Sequence, residues 1–411
     1  MVIDSLCVMG LGYIGLPTSV VFAEHGVRVY GVDVKATTVD AINSGHVPFV
    51  ESNLAEHLTA VVANGTLSAS LTPQRADATI IAVPTPFLPD KTADLSYIRS
   101  AAYLLAPELS PGALVILEST SPPRTTEQLG VWLGDANPDL VGPDGRLLID
   151  VAHAPERVLP GRVLTELVTN DRIVGGLTPQ ATARAKELYA VICQGEIMET
   201  DSRTAEMSKC VENSFRDVNI AFANELSLIC DSLGLDVWEV ISLANHHPRV
   251  AILNPGPGVG GHCLAVDPWF IVAADPTHAK LIKAAREIND AKPDWVVGKI
   301  IAAAPGITTP TIAVLGLAFK ANIDDLRESP ACHVALSLSK SLPSGRILAV
   351  EPNIQQLPPT LAACGNVELV SYTDALDQAD VVALLVDHDE FRDKPQLRDN
   401  VAVIDTRGTW R

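Results

Sequence analysis

One cysteine of the chain stands where its thiol could react. Cys263 stands two positions after a segment rich in glycine and proline, 254–261, and Asp267 stands four positions later. Glycines let a backbone approach a ligand closely, and a cysteine on a polar loop can act as an attacking thiolate. The alternative is a cysteine that only packs in a core. His262 and Asp267 beside Cys263 favour nucleophilic chemistry.

A glycine motif near the start has the spacing of a dinucleotide-binding turn. Gly10, Gly12 and Gly15 follow a strand-like run and open a helical pattern. The first two glycines allow a tight turn and the approach of a pyrophosphate, and the third allows close helix packing. Asp33 ends the next strand-like run and can accept a hydrogen bond from a ribose hydroxyl. This carboxylate favours NAD over NADP, although Lys35 nearby leaves NADP open.

Polar residues on a predicted helix and at predicted strand ends are further candidates. Lys209, Asn213 and Arg216 fall at i, i+4 and i+7, so they share one face that could hold an anionic or carbonyl-bearing ligand. A solvated face is the alternative, and the apolar residues around them argue against it. Thr85 and the segment 118–120 stand where strands are predicted to end, and ligand contact and turn chemistry explain them equally well.

Cationic side chains next to loops or strand ends could form an anion pocket. They are Arg157, Arg162, Arg249, Lys320 and Arg327. If they converge with Lys209 and Arg216, they would suit a diphosphate. Separate surface ion pairs are the alternative for each of them.

The composition limits the class of protein and of partner. The chain has 411 residues, 47% of them hydrophobic, which predicts a globular protein with at least two cores. Its 30 basic and 49 acidic residues give a net charge of -19, which disfavours nucleic acid and membrane surfaces as partners. A small diphosphate meets only the local charges, so it stays compatible with this balance.

The cysteines and the start of the chain favour a cytoplasmic protein. Seven cysteines, an odd number, form no Cys-x-x-Cys pair, which is typical of a reducing compartment. Six of them stand in strand-like or helical patterns, as core residues do. Residues 1–9 lack the basic region of a secretion signal. No metal site is predicted.

The elements that would position these residues follow a βα rhythm. Strands are predicted at 6–9, 27–32, 78–83, 113–117, 148–152 and 172–174, and again at 311–315, 346–350, 367–370, 381–386 and 401–405. An exposed loop is predicted at 134–147. The stretch 202–233 contains no Pro or Gly, Asp201 or Ser202 can cap its start, and Gly234 can end it, which predicts one long helix.

These elements predict two Rossmann-like, doubly wound parallel-sheet domains joined by a long central helix. The expected domains are an NAD-binding domain at 1–200, a central helical domain with the cysteine loop at 201–300, and a second, smaller α/β domain at 301–411. A helix of about 45 Å is longer than one domain needs and could offer a free face to a second subunit.

The chain resembles the UDP-glucose/GDP-mannose dehydrogenase family from end to end. The matching blocks occur in the family's order: 10–15 with Asp33, 83–85, 118–120, 154–157, Lys209 with Asn213, 260–263 with Asp267, and 316–320 with Arg327. Seven blocks in order are far more specific than any one of them.

The resemblance implies that the C6 hydroxyl of a nucleotide sugar is oxidised twice, to the carboxylate, with two NAD+. Cys263 would trap the intermediate aldehyde as a thiohemiacetal, whose oxidation gives a thioester that water hydrolyses. Lys209, with Asn213, would stabilise the developing oxyanion. Asp267, Thr120 and Glu156 would order the water or move protons.

The resemblance also implies the binding residues and a homodimer through the long helix. NAD would be held by Gly10, Gly12, Tyr13, Ile14, Gly15, Asp33, Thr85, Thr120 and Arg327. The nucleotide sugar would be held by Arg157, Val158, Lys209, Asn213, Arg216, His247, Arg249, Gly260, Phe319 and Lys320.

The sequence after Cys263 bears on the sugar. Family members that act on UDP-glucose usually have Phe-Pro-Lys-Asp there, whereas this chain has Leu-Ala-Val-Asp at 264–267, together with distinct segments at 246–249 and 156–162. These features favour UDP-N-acetyl-D-mannosamine, oxidised to UDP-N-acetyl-D-mannosaminuronate. UDP-glucose, UDP-N-acetylglucosamine and GDP-mannose are alternative substrates. A one-step hydroxyacid dehydrogenase and an NAD-sensing module are the alternatives outside this chemistry.

Overall fold

The computed structural model describes residues 3–49, 51, 53–159 and 161–411. The chain divides into two compact units, Met1–Glu212 and Asn213–Arg411, with the boundary inside one long helix. The prediction of two parallel-sheet domains joined by a long central helix is confirmed. The finer division at residues 200 and 300 stays a prediction.

The first unit is built on one sheet of short strands. In chain order they are β1 (Ser5–Met9), β2 (Arg28–Val32), β3 (Leu67–Ser70), β4 (Ala78–Ile81), β5 (Leu114–Leu117), β6 (Asp150–His153), β7 (Arg172–Gly176) and β8 (Ile197–Asp201). Their spatial order is β3-β2-β1-β4-β5-β6-β7-β8. The chain order reverses between β1 and β4, and open α/β sheets bind ligands outside the carboxyl ends of the strands at such a point.

Helices cover both faces of this sheet. They are α1 (Gly15–Glu24), α2 (Ala36–Asn43), α3 (Leu54–Ala63), α4 (Ser96–Leu105), α5 (Thr125–Ala136), α6 (Val163–Thr169) and α7 (Pro179–Tyr189), with 3-10 turns at Ala106–Glu108 and Pro138–Leu140. Alternate residues of β1 feed two separate cores: Val8 packs with α1 and α3, and Met9 packs with α4 and α5. Because both faces of the sheet are covered, its central strands β4 and β5 are buried throughout and contain one polar side chain, that of Thr79.

Two strands of the first sheet, β7 and β8, are exceptions to the predicted parallel arrangement. β6 and β7 pair in antiparallel fashion, whereas β7 and β8 pair in parallel. The remaining neighbours, from β3 to β6, are parallel. The strands β3 and β8 were not predicted, because Leu-Ser-Ala-Ser and Ile-Met-Glu-Thr-Asp are too polar and short to stand out. Both lie at sheet edges, where one side needs no apolar cover.

The predicted loop at 134–147 is wrong in part. Helix α5 continues to Ala136, a 3-10 turn follows, and Leu140 within it is fully buried. A side chain on Gly134 would come within 2.9 Å of Val141, so this glycine allows close packing rather than marking a loop.

The long helix α8 (Ser202–Leu233) has the predicted bounds. Asp201 caps its start by accepting the N–H of Thr204 at 3.0 Å and its hydroxyl at 2.6 Å. Gly234, with φ of +67°, ends it in a Schellman motif, in which the N–H of Leu235 donates to the carbonyl of Cys230 at 2.8 Å. The helix is therefore fixed at both ends by local sequence.

The second unit contains the rest of α8, six further helices and a second sheet. The helices before the sheet are α9 (Val237–Asn245), α10 (Asp267–Ala274) and α11 (Lys280–Ala302). The rest of the unit contains β9 (Thr311–Leu315), α12 (Pro330–Ser341), β10 (Arg346–Val350), α13 (Pro359–Ala362), β11 (Val367–Leu369), α14 (Tyr372–Gln378), β12 (Val381–Leu384), a 3-10 turn at Asp389–Phe391, and β13 (Ala402–Asp405). The sheet order is β11-β10-β9-β12-β13, and all described pairs are parallel.

Among the described helices, none combines the length and the apolar character that a membrane span needs.

Candidate active site

The glycine turn after β1 leaves open space where a dinucleotide would lie. Gly10 has φ of +94°, and a Cβ there would meet the Ala82 carbonyl oxygen at 2.6 Å. A Cβ on Gly15 would meet the Gly10 carbonyl oxygen at 1.8 Å, so α1 starts tightly against the turn, directly after Ile14. At Gly12, in contrast, a Cβ would have no atom of the described residues within 4 Å. This open backbone at the N-terminus of α1 fits a pyrophosphate.

Asp33, the residue after β2, fastens this turn. One carboxylate oxygen accepts the N–H of Leu11 at 3.1 Å, and the other accepts the N–H of Lys35 at 2.9 Å. The side chain is only half-buried, and a carboxylate offers about four lone-pair sites, so it can still accept a ribose hydroxyl. The residues of this turn therefore fit NAD.

Tyr13 is tied to a neighbouring segment through Glu51. Its hydroxyl donates to the Glu51 carboxylate at 2.7 Å, and its ring lies 5.1 Å from that of Phe49. The same carboxylate accepts the N–H groups of Gly161 at 2.9 Å and Val163 at 3.1 Å. One carboxylate thus joins the glycine turn to the start of α6.

The loops after β4 and β5 are joined to each other. The Thr85 hydroxyl donates to the Thr120 carbonyl at 2.6 Å, and the Ser119 hydroxyl donates to the Val83 carbonyl at 2.6 Å. Since β1, β4 and β5 are neighbouring parallel strands, Thr85 and Thr120 lie at the carboxyl ends of the strands, as the glycine turn does. The side chains of Thr85 and Ser119 thus hold the two loops together at the place where a ligand is expected.

Arg172, a residue that sequence reasoning missed, lies in a buried ionic cluster with Glu118 and Glu156. Arg172 contacts the carboxylates of Glu118 at 3.3 Å and Glu156 at 2.6 Å, and its guanidinium lies 4.2 Å from the centre of the Tyr189 ring. Burial raises the pKa of Glu118 to about 7 despite the opposing effect of Arg172. The other Glu156 oxygen accepts the N–H of Arg157 at 2.6 Å. Glu156 is therefore held rigidly at both oxygens.

The first half of α8, which carries Lys209, is held by the start of α5. The fully buried Glu206 carboxylate accepts three hydrogen bonds of 2.6 Å from the first turn of α5. The Cys210 thiol contacts the Ser121 carbonyl at 3.6 Å. Lys209, between them in sequence, is half-buried and forms no ion pair with a described residue. Its charge is available to an anionic group.

Cys263 lies in a turn that leads into α10. Its carbonyl accepts the N–H groups of Val266 at 3.0 Å and Asp267 at 2.8 Å, so the half-buried cysteine stands one helical turn before this aspartate. Asp267 is 2% exposed and accepts a hydrogen bond of 2.5 Å from the Asn213 side chain. Three of the predicted catalytic residues are thereby brought together in the second unit.

A buried ion pair supports the cysteine turn from behind. Arg286 on α11 and Asp217 on α8 are both 0% exposed, and their charged atoms lie 2.6 Å apart. The same guanidinium nitrogen is 3.4 Å from the carbonyl of Leu264, the residue after Cys263. Burial raises the pKa of Asp217, which Arg286 opposes. The ion pair therefore connects two helices to the backbone beside the thiol.

Two buried asparagines extend this network to the other end of the cysteine loop. Asn289 donates to Asp217 at 2.8 Å, and Asn224 donates to Asn289 at 2.8 Å. The side-chain oxygen of Asn224 then accepts the N–H of Gly256 at 2.9 Å. No local sequence signal marks these residues, because each stands in an ordinary helical pattern and finds its partners through the fold.

Gly260 and Gly261 are glycines for a different reason from the one predicted. A Cβ on Gly260 would come within 2.5 Å of the Glu328 carbonyl oxygen, and a Cβ on Gly261 within 2.9 Å of the Phe319 ring. The N–H of Gly261 donates to the Arg327 carbonyl at 3.2 Å. The close neighbour of this glycine pair is thus the loop after β9, which brings Phe319 and Arg327 next to the cysteine loop.

The predicted cations fall into two groups. Three form ion pairs inside their own unit: Arg157 with Glu212 at 2.8 Å, Arg162 with Glu166 at 3.5 Å, and Arg327 with Asp325 at 2.6 Å. Arg216, Arg249 and Lys320 are exposed and present their donors to solvent, and His247, predicted as a sugar-nucleotide contact, is exposed as well. Val158 packs against the hydrophobic core of the first unit. The ion-pair interpretation therefore applies to three of the cations.

Five of the six cysteines predicted as core residues pack in or against a core. Cys7, Cys210 and Cys230 are buried in a strand or a helix, and the half-buried Cys332 and Cys364 pack against the core of the second unit. Cys193 is half-buried and follows α7 outside the helices and strands. Cys263 differs from these six in standing in a turn, one helical turn before the buried Asp267.

Three domain models of one family match consecutive parts of the chain. The NAD binding domain of the UDP-glucose/GDP-mannose dehydrogenase family matches residues 4–193, its central domain matches 203–291, and its UDP binding domain matches 313–411. Together they span nearly the whole chain. Because the first of them is an NAD binding domain, the prediction of NAD as cofactor is confirmed.

Known proteins of this kind are similar over their full length. An NDP-N-acetyl-D-galactosaminuronic acid dehydrogenase of Ralstonia nicotianae is 55% identical over 99% of this chain and 96% of its own. A UDP-N-acetyl-D-mannosamine dehydrogenase of Escherichia coli (strain K12) is 53% identical over 99% of both chains. The solved UDP-N-acetyl-mannosamine dehydrogenase from S. aureus is 42% identical, with a TM-score of 0.87 over 99% of this chain and 96% of its own. The chain therefore belongs to the UDP-glucose/GDP-mannose dehydrogenase family and is an NAD-dependent nucleotide-sugar dehydrogenase.

Proposed function

We propose that this enzyme oxidises UDP-N-acetyl-D-mannosamine at C6 to UDP-N-acetyl-D-mannosaminuronate in two steps. The observation that carries the proposal is the turn at Cys263. The Cys263 carbonyl accepts the N–H of the buried Asp267, and the Asp267 carboxylate accepts a hydrogen bond from Asn213. A dehydrogenase that stops at the aldehyde or ketone needs no thiol. A dehydrogenase that continues to the acid does, because a covalent trap prevents loss of the aldehyde.

The relatives support an acetamido sugar and leave two candidates. The E. coli and S. aureus proteins are named for UDP-N-acetylmannosamine, and the substitution of Leu-Ala-Val for Phe-Pro-Lys at 264–266 favours the same sugar. The 55% identical Ralstonia protein is named for N-acetyl-D-galactosaminuronic acid. This relative makes an N-acetylgalactosamine nucleotide the second candidate substrate.

In the chemistry assigned to Cys263, the thiolate holds the sugar between two oxidations. Loss of a hydride from C6 and a proton from its hydroxyl gives an aldehyde. The thiolate adds to the aldehyde carbon, and the oxygen takes up a proton to form a thiohemiacetal. Loss of a second hydride, and of the proton on that oxygen, gives a thioester. Water then attacks the thioester carbonyl, the C–S bond breaks, and the carboxylate, the thiolate and two protons are released.

Charge on the C6 oxygen decides which side chains assist. The Lys209 ammonium, which lacks an ion pair among the described residues, would stabilise the developing oxyanion together with the Asn213 amide. Asp267, Thr120 and Glu156 would order the hydrolytic water or move protons. Of these three, Glu156 is already fixed by Arg172, which favours an orienting role over free proton exchange.

The cofactor is assigned to the carboxyl ends of the strands in the first unit. The assigned residues are Gly10, Gly12, Tyr13, Ile14, Gly15, Asp33, Thr85 and Thr120, with Arg327 as a further contact. When bound, NAD+ accepts the hydride, and two molecules are consumed per sugar. The open backbone at Gly12 supports pyrophosphate binding, and the half-buried Asp33 supports binding of the ribose.

The nucleotide sugar is assigned to a further set of side chains. They are Arg157, Val158, Lys209, Asn213, Arg216, His247, Arg249, Gly260, Phe319 and Lys320. The exposure of Arg216, Arg249 and Lys320 supports this assignment, because their charges are available to a diphosphate.

The free face of α8 supports a homodimer. Its exposed apolar side chains are Met207, Val211, Phe215, Phe222, Ile229 and Leu233, with Phe215 71% exposed. At about 100° per residue, all six fall within an arc of about 80°. A stripe of this kind needs cover from a second apolar surface, and a second copy of α8 offers one. Light scattering of the wild type and of Phe215→Glu tests this: a dimer that becomes a monomer is expected, and a monomeric wild type contradicts the proposal.

A thiol nucleophile also favours the cytoplasm, where a reducing environment keeps cysteines from oxidation. Fractionation of the native cells should therefore recover the protein with cytoplasmic markers. Recovery with an oxidising compartment would contradict this location.

A substrate panel tests the proposed function. The purified protein is incubated with NAD+ and, separately, with UDP-N-acetylmannosamine, UDP-N-acetylgalactosamine, UDP-N-acetylglucosamine, UDP-glucose and GDP-mannose. We expect the highest kcat/KM with UDP-N-acetylmannosamine. A higher value with UDP-N-acetylgalactosamine would favour the second candidate, and a preference for a sugar without an acetamido group would refute both.

A further inference from the structure

The second unit repeats the glycine turn of the first unit. Gly316 follows β9 with φ of +92°, as Gly10 follows β1 with φ of +94°. In both units, the N–H of this glycine donates to the carbonyl of the last residue of the second strand at 2.8 Å. The next residue is Glu351 in the second unit and Asp33 in the first. The two acids therefore occupy equivalent positions.

Glu351 is used differently from its counterpart. One oxygen accepts the N–H groups of Leu317 at 2.8 Å and Ala318 at 2.9 Å, and the His388 ring at 3.0 Å. The other accepts the backbone and side-chain N–H groups of Asn353, both at 3.1 Å. A carboxylate has about four lone-pair sites, so five donors leave none for a ribose hydroxyl. The side chain is also only 4% exposed.

His388 connects Glu351 to the chain on the other side of β9. The fully buried ring follows β12, and its Nδ1 accepts the N–H of Asn322 at 3.0 Å, which puts the ring proton on Nε2, facing Glu351. The N–H of Asp389 donates to the Asn322 side chain at 3.0 Å. Since β10, β9 and β12 are neighbours and the strand order reverses at β9, the pair spans the ligand-binding point of this sheet.

The anchored residues flank Phe319 and Lys320. In the first unit, a helix begins five residues after the glycine and can present its N-terminus to phosphate. In the second unit, α12 begins only at Pro330, so an irregular loop, 317–329, takes the place of that helix. Glu351 fixes the loop before Phe319, and His388 fixes it after Lys320, at Asn322.

We propose that Glu351 and His388 are positioning residues for the diphosphate half of the nucleotide sugar. They hold 317–322 in the conformation that presents the Lys320 ammonium and the loop N–H groups to the phosphates. A loop without a helix behind it needs such an anchor, because an unanchored lysine would lose conformational entropy on binding. The inference rests on the proposed function only for the identity of the ligand, a uridine diphosphate.

Binding of UDP alone, without turnover, tests this role. We compare Glu351→Gln and Glu351→Asp with a matched control, Asp380→Asn, whose carboxylate also accepts a backbone N–H, that of Thr311 at 2.9 Å, but at the opposite end of β9. Calorimetry gives the Kd of UDP and of NAD+ for each variant. Hydrogen exchange reports the N–H groups of 317–322.

For Glu351→Gln, we expect the Kd of UDP to rise about tenfold or more and exchange at 317–322 to accelerate. The Kd of NAD+ should stay within about twofold of the wild type. Asp380→Asn should leave the Kd of UDP unchanged, and Glu351→Asp, which keeps the charge, should lie between Glu351→Gln and the wild type. A merely structural role for Glu351 predicts the same effect from Asp380→Asn as from Glu351→Gln.

Equal UDP affinity in the wild type and Glu351→Gln would overturn the inference. If Glu351→Gln does not fold, Glu351→Asp decides, and wild-type UDP affinity in that variant overturns the inference as well. A wild type that binds UDP but oxidises none of the UDP-sugars would refute the proposed function while leaving this inference standing. The two failures are therefore distinguishable.

Discussion

Replacing Arg286 by methionine should destabilise the second unit strongly. Arg286 and Asp217 are both 0% exposed and their charged atoms are 2.6 Å apart. Removal of one partner of a buried ion pair typically costs about 3–5 kcal/mol, because the other charge stays buried without compensation. We expect the free energy of unfolding of Arg286→Met to fall by about this amount at pH 7, measured by urea denaturation followed by tryptophan fluorescence.

The loss should depend on pH in a defined direction. Burial already raises the pKa of Asp217 with Arg286 present, and the pKa should rise further without it. A carboxyl group whose pKa is raised in the folded state loses stability as the pH rises above its unfolded value of about 3.9. The deficit of Arg286→Met should therefore be smaller at pH 5 than at pH 7.

Two comparisons isolate the buried charge. Adding Asp217→Asn to Arg286→Met removes the unpaired carboxylate and keeps an acceptor for Asn289, so most of the lost stability should return. As a surface control, Arg346→Met breaks an exposed pair with Glu368 and should change the free energy of unfolding by less than about 1 kcal/mol. A loss below about 1 kcal/mol for Arg286→Met, or no recovery in the double variant, would refute the reasoning.

Further predictions concern the proposed site and the second unit. Cys263→Ser should still perform the first hydride transfer weakly but should form no uronic acid, which chromatography would detect. Acid formation at the wild-type rate would exclude the covalent route. Lys209→Ala should lower kcat by about 100- to 1000-fold, and a loss below about tenfold would contradict an oxyanion role. Lys320→Ala should raise the KM of the sugar more than Asp33→Ala does, and equal effects would count against the assignment of the two residues. Burial raises the pKa of Glu351, but hydrogen bonds from His388 and the loop outweigh it and lower the pKa from 4.5 to about 2. Ionised Glu351 therefore adds about 3 kcal/mol to the free energy of unfolding above pH 4.5, and this amount is lost as the pH falls to 2. Acid titration of Glu351→Gln should lack this loss, and an unchanged titration would contradict the assigned pKa.

Local signals in the sequence predict the parts of the fold that local contacts determine. The bounds of α8 follow from Asp201, which caps it, and from Gly234, whose positive φ ends it. The glycine turn follows from Gly10 and Gly15, which have no space for a side chain. In each of these cases, the chemistry that fixes the structure lies within a few residues in sequence.

The direction of a strand and the burial of a charged side chain could not be predicted from local sequence in the same way. Nothing local in β7 records that it runs antiparallel to β6, since strand direction depends on how the chain returns to the sheet. Likewise, Arg172 and Arg286 resemble exposed residues in sequence, and only the fold brings each to a buried carboxylate. Glu351 had a signal, since it ends a strand as Asp33 does, but recognising it requires the comparison of the two glycine turns.

The stoichiometry of the reaction tests the central claim most directly. UDP-N-acetyl-D-mannosamine is incubated with the enzyme and excess NAD+, NADH is followed by absorbance, and the uronate formed is quantified by chromatography. Oxidation through a thioester on Cys263 predicts two NADH for each uronate and for each sugar consumed. One NADH per sugar, with an aldehyde or ketone as product, would contradict it.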